Sequence, residues 1–196
     1  MKLLFATSNQ NKAVEISQML PNNFEILTLK EINHTEDVPE TSDTIQGNAR
    51  QKAEYINNKY GLNCFADDTG LEVSILNGEP GVKSARYAGE QRSDSDNMEL
   101  LQKRLLEKKD RTAQFRTVIC LILNDLELIF EGTVKGNILE EPRGKNGFGY
   151  DPIFEPENCG KSFAEMTLKE KNFYSHRARA FKKMIEFLVS TNVSVD

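Results

Sequence analysis

The 196-residue sequence predicts a single α/β domain, residues 1–196, built on a mixed β-sheet. Two observations carry this. The chain opens strand, helix, strand, the pattern of a parallel pair. Further along, two long apolar stretches at 115–123 and 126–134 follow each other across Asn124-Asp125, the pattern of a hairpin. A sheet with both kinds of connection is mixed. No repeat, low-complexity tract or linker divides the chain.

Lys2 to Thr7 is a short apolar run that delivers the polar stretch TSNQNK, and so reads as a strand feeding a loop. Ala13, Ile16, Met19 and Leu20 then recur at helical spacing as far as Pro21, and Phe24 to Leu29 reads as a second strand. Residues 31–43 form a loop. Thr41, Ser42 and Asp43 are candidate caps for a helix that ends near Gly61 and turns Ala49, Ala53 and Ile56 inward. A strand from Asn63 to Ala66 should break at Asp67–Gly70 and resume through Leu71 to Leu76, before an Asn77-Gly78 turn. The spacing of Asp96 and Glu99 suggests a capping box for a helix to about Lys109 that buries Met98, Leu100, Leu101 and Leu105. From Glu140 to Lys161 the chain is rich in Gly and Pro without helical period, which reads as a long functional loop. Thr167 and Glu170 form a second capping box, and Ala178, Phe181, Ile185, Leu188 and Val189 make the apolar face of a terminal helix. That end is one helix, or two if Ser175 caps a fresh one with His176 and Arg177 in its first turn.

The formal net charge of −5 argues against a polynucleotide partner, because such proteins neutralise phosphates with surplus Lys and Arg. A small anion remains compatible. No apolar run approaches the ~20 residues needed to cross a bilayer, and the first residues are too polar for a signal peptide, so the expected compartment is cytoplasmic, without membrane contact. Cys64, Cys120 and Cys159 are odd in number and widely spaced, which speaks against disulfides and thiolate zinc. With only His34 and His176, a multi-histidine metal site is excluded. Any metal would be held by carboxylates, which points to Mg²⁺ or a similar hard ion.

Several segments offer chemistry, each with a plainer alternative. Asp67 and Asp68 in FADDTG sit at a strand end. Successive side chains of a strand face opposite ways, so one acid would meet a metal while the other braces the turn; a solvated turn is the plainer reading. TSNQNK places hydroxyl, amide and ammonium groups at a helix N-terminus, where backbone N–H groups favour phosphate, yet it lacks Walker A glycines and also suits a capped turn. FGYDP combines two aromatics, a Gly and an acid that would stack a base and bond its edge, or plug a hydrophobic loop. Lys171, His176 and Arg177 are donors suited to a 6-oxo purine or a triphosphate, or else solvated charges on a helix.

In this order TSNQNK, VPET, FADDTGLEV, NGEPGVKSARYAG, FGYDPIF and AEMTLKEKNFYSHRARA resemble the inosine triphosphate pyrophosphatase family over residues 2 to about 188. The resemblance implies an elongated mixed sheet flanked by helices, with two lobes about a central substrate cleft, and a homodimer. It implies Mg²⁺-dependent hydrolysis of ITP, dITP and XTP to monophosphate and pyrophosphate. By matching position, Thr7, Ser8, Asn9, Gln10, Asn11 and Lys12 resemble the phosphate-contacting loop. Glu40 and Asp68 resemble the Mg²⁺ carboxylates, Asp68 also the proton acceptor, and Thr69 a substrate contact. Phe148, Gly149, Tyr150 and Asp151 resemble the base-binding segment, and Lys171, His176 and Arg177 the base and phosphate contacts. The chain departs from the family where many members read ENA: it has Gly47-Asn48-Ala49, which removes a carboxylate and sets a Gly in a helix, where it costs about 1 kcal/mol against Ala. Two rivals stand beside this reading: a module that binds a nucleotide without cleaving it, and a pyrophosphatase of other base preference.

Overall fold

The computed structural model describes residues 2–124 and 126–191. In chain order its main elements are β1 (Lys2–Phe5), α1 (Gln10–Ser17), β2 (Glu25–Thr28), α2 (Ile45–Tyr60), β3 (Cys64–Val73) and β4 (Pro80–Gly81). They continue with α3 (Asp94–Arg104), β5 (Thr112–Leu123), β6 (Leu126–Ile138), β7 (Phe154–Pro156), α4 (Leu168–Tyr174) and α5 (His176–Ser190). The strands form one seven-stranded sheet in the order β2-β1-β3-β5-β6-β7, with β4 on β3. The β1–β2 and β1–β3 pairs are parallel and the β3–β4 and β6–β7 pairs antiparallel, so the sheet is mixed as the sequence predicts.

The chain divides into two compact units. The first comprises the described residues of Met1–Asp68, Thr117–Gly132 and Arg177–Asp196; the second comprises Thr69–Arg116 and Thr133–His176. In the first, Leu3, Phe5, Ile16, Phe65, Ile119, Leu121, Phe181, Met184 and Leu188 share one apolar core, with Phe5 stacked on Phe65 at 4.5 Å between ring centroids. Ala49 and Ala53 are fully buried, which lets the backbone of α2 approach its neighbours closely. In the second, Leu71, Val73, Leu101, Leu105, Phe115, Ile153, Phe154, Phe163 and Met166 form a separate core.

Several expectations need correction. β3 is one continuous strand, not two halves broken at Asp67–Gly70: partners elsewhere in the first unit satisfy both acids, so they need no turn to reach water. After it, Ser74–Leu76 is a 3₁₀ turn, leading into left-handed Asn77 and Gly78. The cap of α2 is Thr44, whose hydroxyl accepts the Gly47 N–H, while Ser42 supports the turn by accepting from Thr44 N–H. Ser93 caps α3 by accepting from Asp96 N–H, so the helix starts earlier than an Asp96 cap would place it and ends at Arg104, with Leu100 and Met98 only half-buried. α1 stops at Ser17, yet Met19 and Leu20 still pack on the first core. β5 and β6 are longer than expected, and Asp125 of their turn lies outside the described residues. The 140–161 stretch contains β7, not loop alone. The terminal segment is two helices with Ser175 extended between them, and Val189 is exposed while Met184 takes a core position. The Thr167/Glu170 capping box and left-handed Gly61 after α2 are present as expected. Cys64, Cys120 and Cys159 are free thiols.

Candidate active site

In the first unit the loop after β1 turns back on itself. Asn9 N–H donates to Thr7 Oγ1, and Asn9 Oδ1 then accepts the Asn11 and Lys12 N–H groups, capping α1. Ser8, Gln10 and Asn11 are exposed. Lys12, on the first turn of α1, points its ammonium at Asp67, 3.0 Å from both carboxylate oxygens.

Asp67 is the centre of a buried ionic chain. Its Oδ2 accepts from Arg177 Nε at 3.2 Å, and Arg177 in turn pairs with Glu15 on α1. Arg177 is only 1% exposed, so the solvated reading of this cation does not hold. Burial would raise the Asp67 carboxyl, but Lys12, Arg177 and Lys52 outweigh it and hold it well below the usual carboxylate range. Burial lowers Lys12, an effect that Asp67 only partly offsets. For Arg177 burial works against the charge, but Glu15 and Asp67 more than compensate. Asp67 is thus an ionised brace.

Asp68, next along β3, faces the other way. Its Oδ2 accepts from Asn48 at 3.2 Å, and its Oδ1 lies 3.7 Å from Lys52 Nζ. The same ammonium pairs with Glu40. Burial, followed in size by the opposing pull of Lys52 and Lys12 and the repulsion of Glu40 and Asp67, leaves the Asp68 carboxyl raised. Lys52 itself resists burial because Asp68, Glu40 and Asp67 surround it, and it is raised as a result. Among the described residues no three His, Cys, Asp or Glu side chains converge as a metal cluster. Two carboxylates that share one cation do converge. Such an all-oxygen pair suits Mg²⁺, which keeps several water or phosphate oxygens in its shell.

Lys52, Asn48 and Glu15 were not singled out in the sequence. Their signal is spacing. Asn48 and Lys52 lie four apart on one face of α2, and Glu15 lies three after Lys12 on α1, so each polar pair shares a helix face otherwise turned to the core. The Gly47 departure also has a local explanation. A Cβ at Gly47 would fall 1.9 Å from Ser42 Oγ and 2.8 Å from Thr44 Oγ1, so the capping hydroxyls fill the space a side chain would take. α2 nevertheless runs unbroken.

In the second unit, the segment Phe148–Asp151 is anchored at almost every residue. Asp151 Oδ2 accepts the Phe148 N–H at 2.9 Å and pairs with buried Lys171, whose ammonium lies 4.8 Å from the Phe148 ring centre. Gly149 N–H donates to Asp94 at 2.7 Å, and Tyr150 hydroxyl donates to Ser84 O at 2.9 Å. Tyr150 and Asp151 are buried; Phe148 and Gly149 are half-buried. Gly149 has φ +62, a left-handed conformation that glycine adopts without strain. His176 is buried against Phe115, stacked at 4.6 Å between centroids. Thr69 follows Asp68 on β3 and is half-buried. The predicted residues therefore fall into two groups. Thr7–Lys12, Glu40, Asp68 and Arg177 belong to the first unit; Thr69, Phe148–Asp151, Lys171 and His176 belong to the second.

A strand–loop–helix segment beside buried acids and cations is an arrangement suited to handling polyphosphate. More particularly, the chain belongs to the Ham1 family, whose model matches residues 3–187. It is 56% identical over 191 residues to a dITP/XTP pyrophosphatase of Flavobacterium johnsoniae, covering 97% of this chain and 100% of the relative. It is 44% identical over 189 residues to a dITP/XTP pyrophosphatase of Bacillus subtilis, with 94% and 96% covered. Among solved structures, the Staphylococcus aureus Ham1 protein matches with a TM-score of 0.88 at 38% identity, over 97% of this chain and 100% of that one. No helix among the described residues is long and apolar enough to cross a membrane.

Proposed function

We propose that this chain hydrolyses dITP, ITP and XTP to the nucleoside monophosphate and pyrophosphate, and that it requires Mg²⁺. The observation that carries the reading is the pair of carboxylates, Glu40 and Asp68, gathered on one buried cation, Lys52, beside Lys12 on the first turn of α1. The dITP/XTP pyrophosphatases of Flavobacterium johnsoniae and Bacillus subtilis, similar over nearly the whole chain, support the substrate class.

Glu40 and Asp68 would hold the ion, which when bound neutralises phosphate charge and polarises the reacting anhydride. Lys12, partly exposed and turned from solvent toward Asp67, offers an ammonium to the phosphates. Asp67, ionised and buried, keeps it in place. Asp68 is essential to the attack of water, as metal ligand or as proton acceptor: one carboxylate does not serve well as both a tight ligand and a strong base. The attack falls on the α-phosphorus, with pyrophosphate leaving.

For the base, Lys171 and His176 are the candidate donors to the 6-oxo group of hypoxanthine or xanthine, and the half-buried Phe148 ring offers a stacking face. The 6-amino group of adenine would leave such donors unpaired, at a cost of about 1–3 kcal/mol, which favours oxo purines. The homodimer that the family resemblance implies belongs to this proposal, as does a cytoplasmic location; sedimentation of the purified chain tests the first.

One assay tests the activity. Purified protein with Mg²⁺ is presented with ITP, XTP, dITP, GTP, ATP and dTTP, and pyrophosphate and orthophosphate are measured separately. Turnover of ITP, XTP and dITP with pyrophosphate as primary product is expected. Absence of any turnover leaves a binding module; orthophosphate as primary product moves the site of cleavage.

A further inference from the structure

The first turn of α3 contributes none of the candidate site residues, yet it holds two loops of the second unit. Asn97, buried on α3, accepts the Ala88 N–H at 2.7 Å and donates to Ala85 O at 3.1 Å, fixing the 84–89 segment. Tyr150 reaches that segment through Ser84 O, and Ser84 Oγ in turn accepts Leu71 N–H at 2.8 Å. One turn earlier on α3, Asp94 Oδ2 accepts the Gly149 N–H at 2.7 Å. The residues on either side of Gly149 are tied inward: Phe148 N–H to Asp151, and Tyr150 hydroxyl to Ser84. Gly149 itself is held by an exposed carboxylate from a helix that begins 55 residues earlier. Apart from its chain neighbours, no atom lies within 4 Å of where a Gly149 Cβ would be, and the turn around it is closed by Asp151 N–H donating to Phe148 O at 3.2 Å.

We propose that Asp94 is a positioning residue for the nucleobase segment: by accepting the Gly149 amide it fixes the left-handed turn that sets the Phe148 ring. The proposal rests on the function given above and assigns to Asp94 a share of the affinity for the purine. The physical reason is preorganisation. A glycine samples more backbone states than other residues, and a charge-assisted hydrogen bond to its N–H narrows them before substrate arrives. A plainer role exists, since an acid in the first turn of a helix is favoured by the helix dipole. That role would change stability and leave substrate affinity alone.

The test compares Asp94→Ala and Asp94→Asn with the wild-type chain, using ITP and XTP with Mg²⁺, and follows hydrogen exchange at the Gly149 amide. Asp94→Ala should raise KM for both nucleotides about three- to tenfold, the loss of one such bond, with kcat within about twofold. Gly149 exchange should accelerate in parallel. Asp94→Asn keeps an acceptor oxygen and should hold KM within about twofold of wild type. Asp94→Ser, a good helix-start residue too short to reach Gly149, serves if the alanine variant fails to fold, and should behave as Ala. An unchanged KM with unchanged Gly149 exchange, or a fall in melting temperature without a change in KM, overturns the proposal. So does an equal loss in the Ala and Asn variants. If the wild-type chain turns over neither nucleotide, the functional reading fails first and takes the positioning role with it; wild-type turnover with an unaffected Ala variant removes the positioning role alone.

Discussion

Lys52 is the residue on which both candidate metal carboxylates converge, and it is 5% exposed. Replacing it with Met keeps the aliphatic volume but leaves Glu40 and Asp68 facing each other with no cation between them. A fully buried pair broken this way costs about 3–5 kcal/mol, and here, with Glu40 partly in water, about 1–3 is expected. Lys52→Met should therefore melt earlier than wild type and lose at least about tenfold in kcat/KM, equivalent to 1.4 kcal/mol. Mg²⁺ should restore more of the melting temperature in the variant than it adds to wild type, because a divalent ion satisfies the same two carboxylates. Thermal melts with and without Mg²⁺ check this, and a variant that melts and turns over like wild type would remove Lys52 from the site. The residue escapes a reading of sequence because a lone Lys in a helix is usually solvated. Arg177 was legible as a donor but not as a buried one: its carboxylate partners Glu15 and Asp67 lie 162 and 110 residues away, so nothing local marks it as buried.

Elements are legible where their chemistry is local. Gly61 and the Thr167/Glu170 box lie within one helical turn of the groups they satisfy, and the structure has both. The break expected in β3 fails because Asp-Asp-Thr-Gly is turn chemistry only when the acids must find water; Lys12, Arg177, Asn48 and Lys52 meet them instead. Two predictions belong at this scale. Gly47→Ala gains about 1 kcal/mol in helix propensity. It also drives a Cβ to 1.9 Å from Ser42 Oγ and 2.8 Å from Thr44 Oγ1, disturbing the cap of α2, a contact worth about 1 kcal/mol or more. The clash should win and lower the melting temperature, whereas a stabilised variant would show that the hydroxyls rearrange freely. The second concerns the Thr167/Glu170 box at the start of α4. The Thr167 backbone N–H, its hydroxyl and then Lys161 hold the Glu170 carboxyl at about 2, against an ordinary value of 4.5. A depressed carboxyl stabilises the fold above its unfolded value and loses that contribution as pH falls from 4.5 toward about 2. A carboxyl NMR titration of Glu170 should show a midpoint in that lower range; one near 4.5 would mean the box is open in solution.

At the scale of the whole molecule, the mixed sheet was foreseeable from the order of strands and helices and two lobes from the family resemblance, but which candidate residues fall to which unit was not. Each unit has its own apolar core, and β3 passes from one unit to the other between Asp68 and Thr69. Lys12 and Asp68 stand in the first unit and Phe148 and Lys171 in the second, and a ligand that binds only the folded chain stabilises it. Asp68→Asn allows this to be measured without turnover. Asn keeps the size of Asp68 and an oxygen to accept from Asn48, while removing the carboxylate proposed to serve Mg²⁺ or the attacking water. Its activity on ITP should fall by at least about a hundredfold, within the range general-base catalysis contributes. The folded variant should still take up ITP, and at a hundred times its dissociation constant a bound ligand adds about 2.7 kcal/mol of stability. The melting transition of Asp68→Asn should therefore shift upward when ITP is added, and ATP, whose 6-amino group offers no acceptor to the proposed donors, should shift it less. Retained turnover would take Asp68 out of the chemistry.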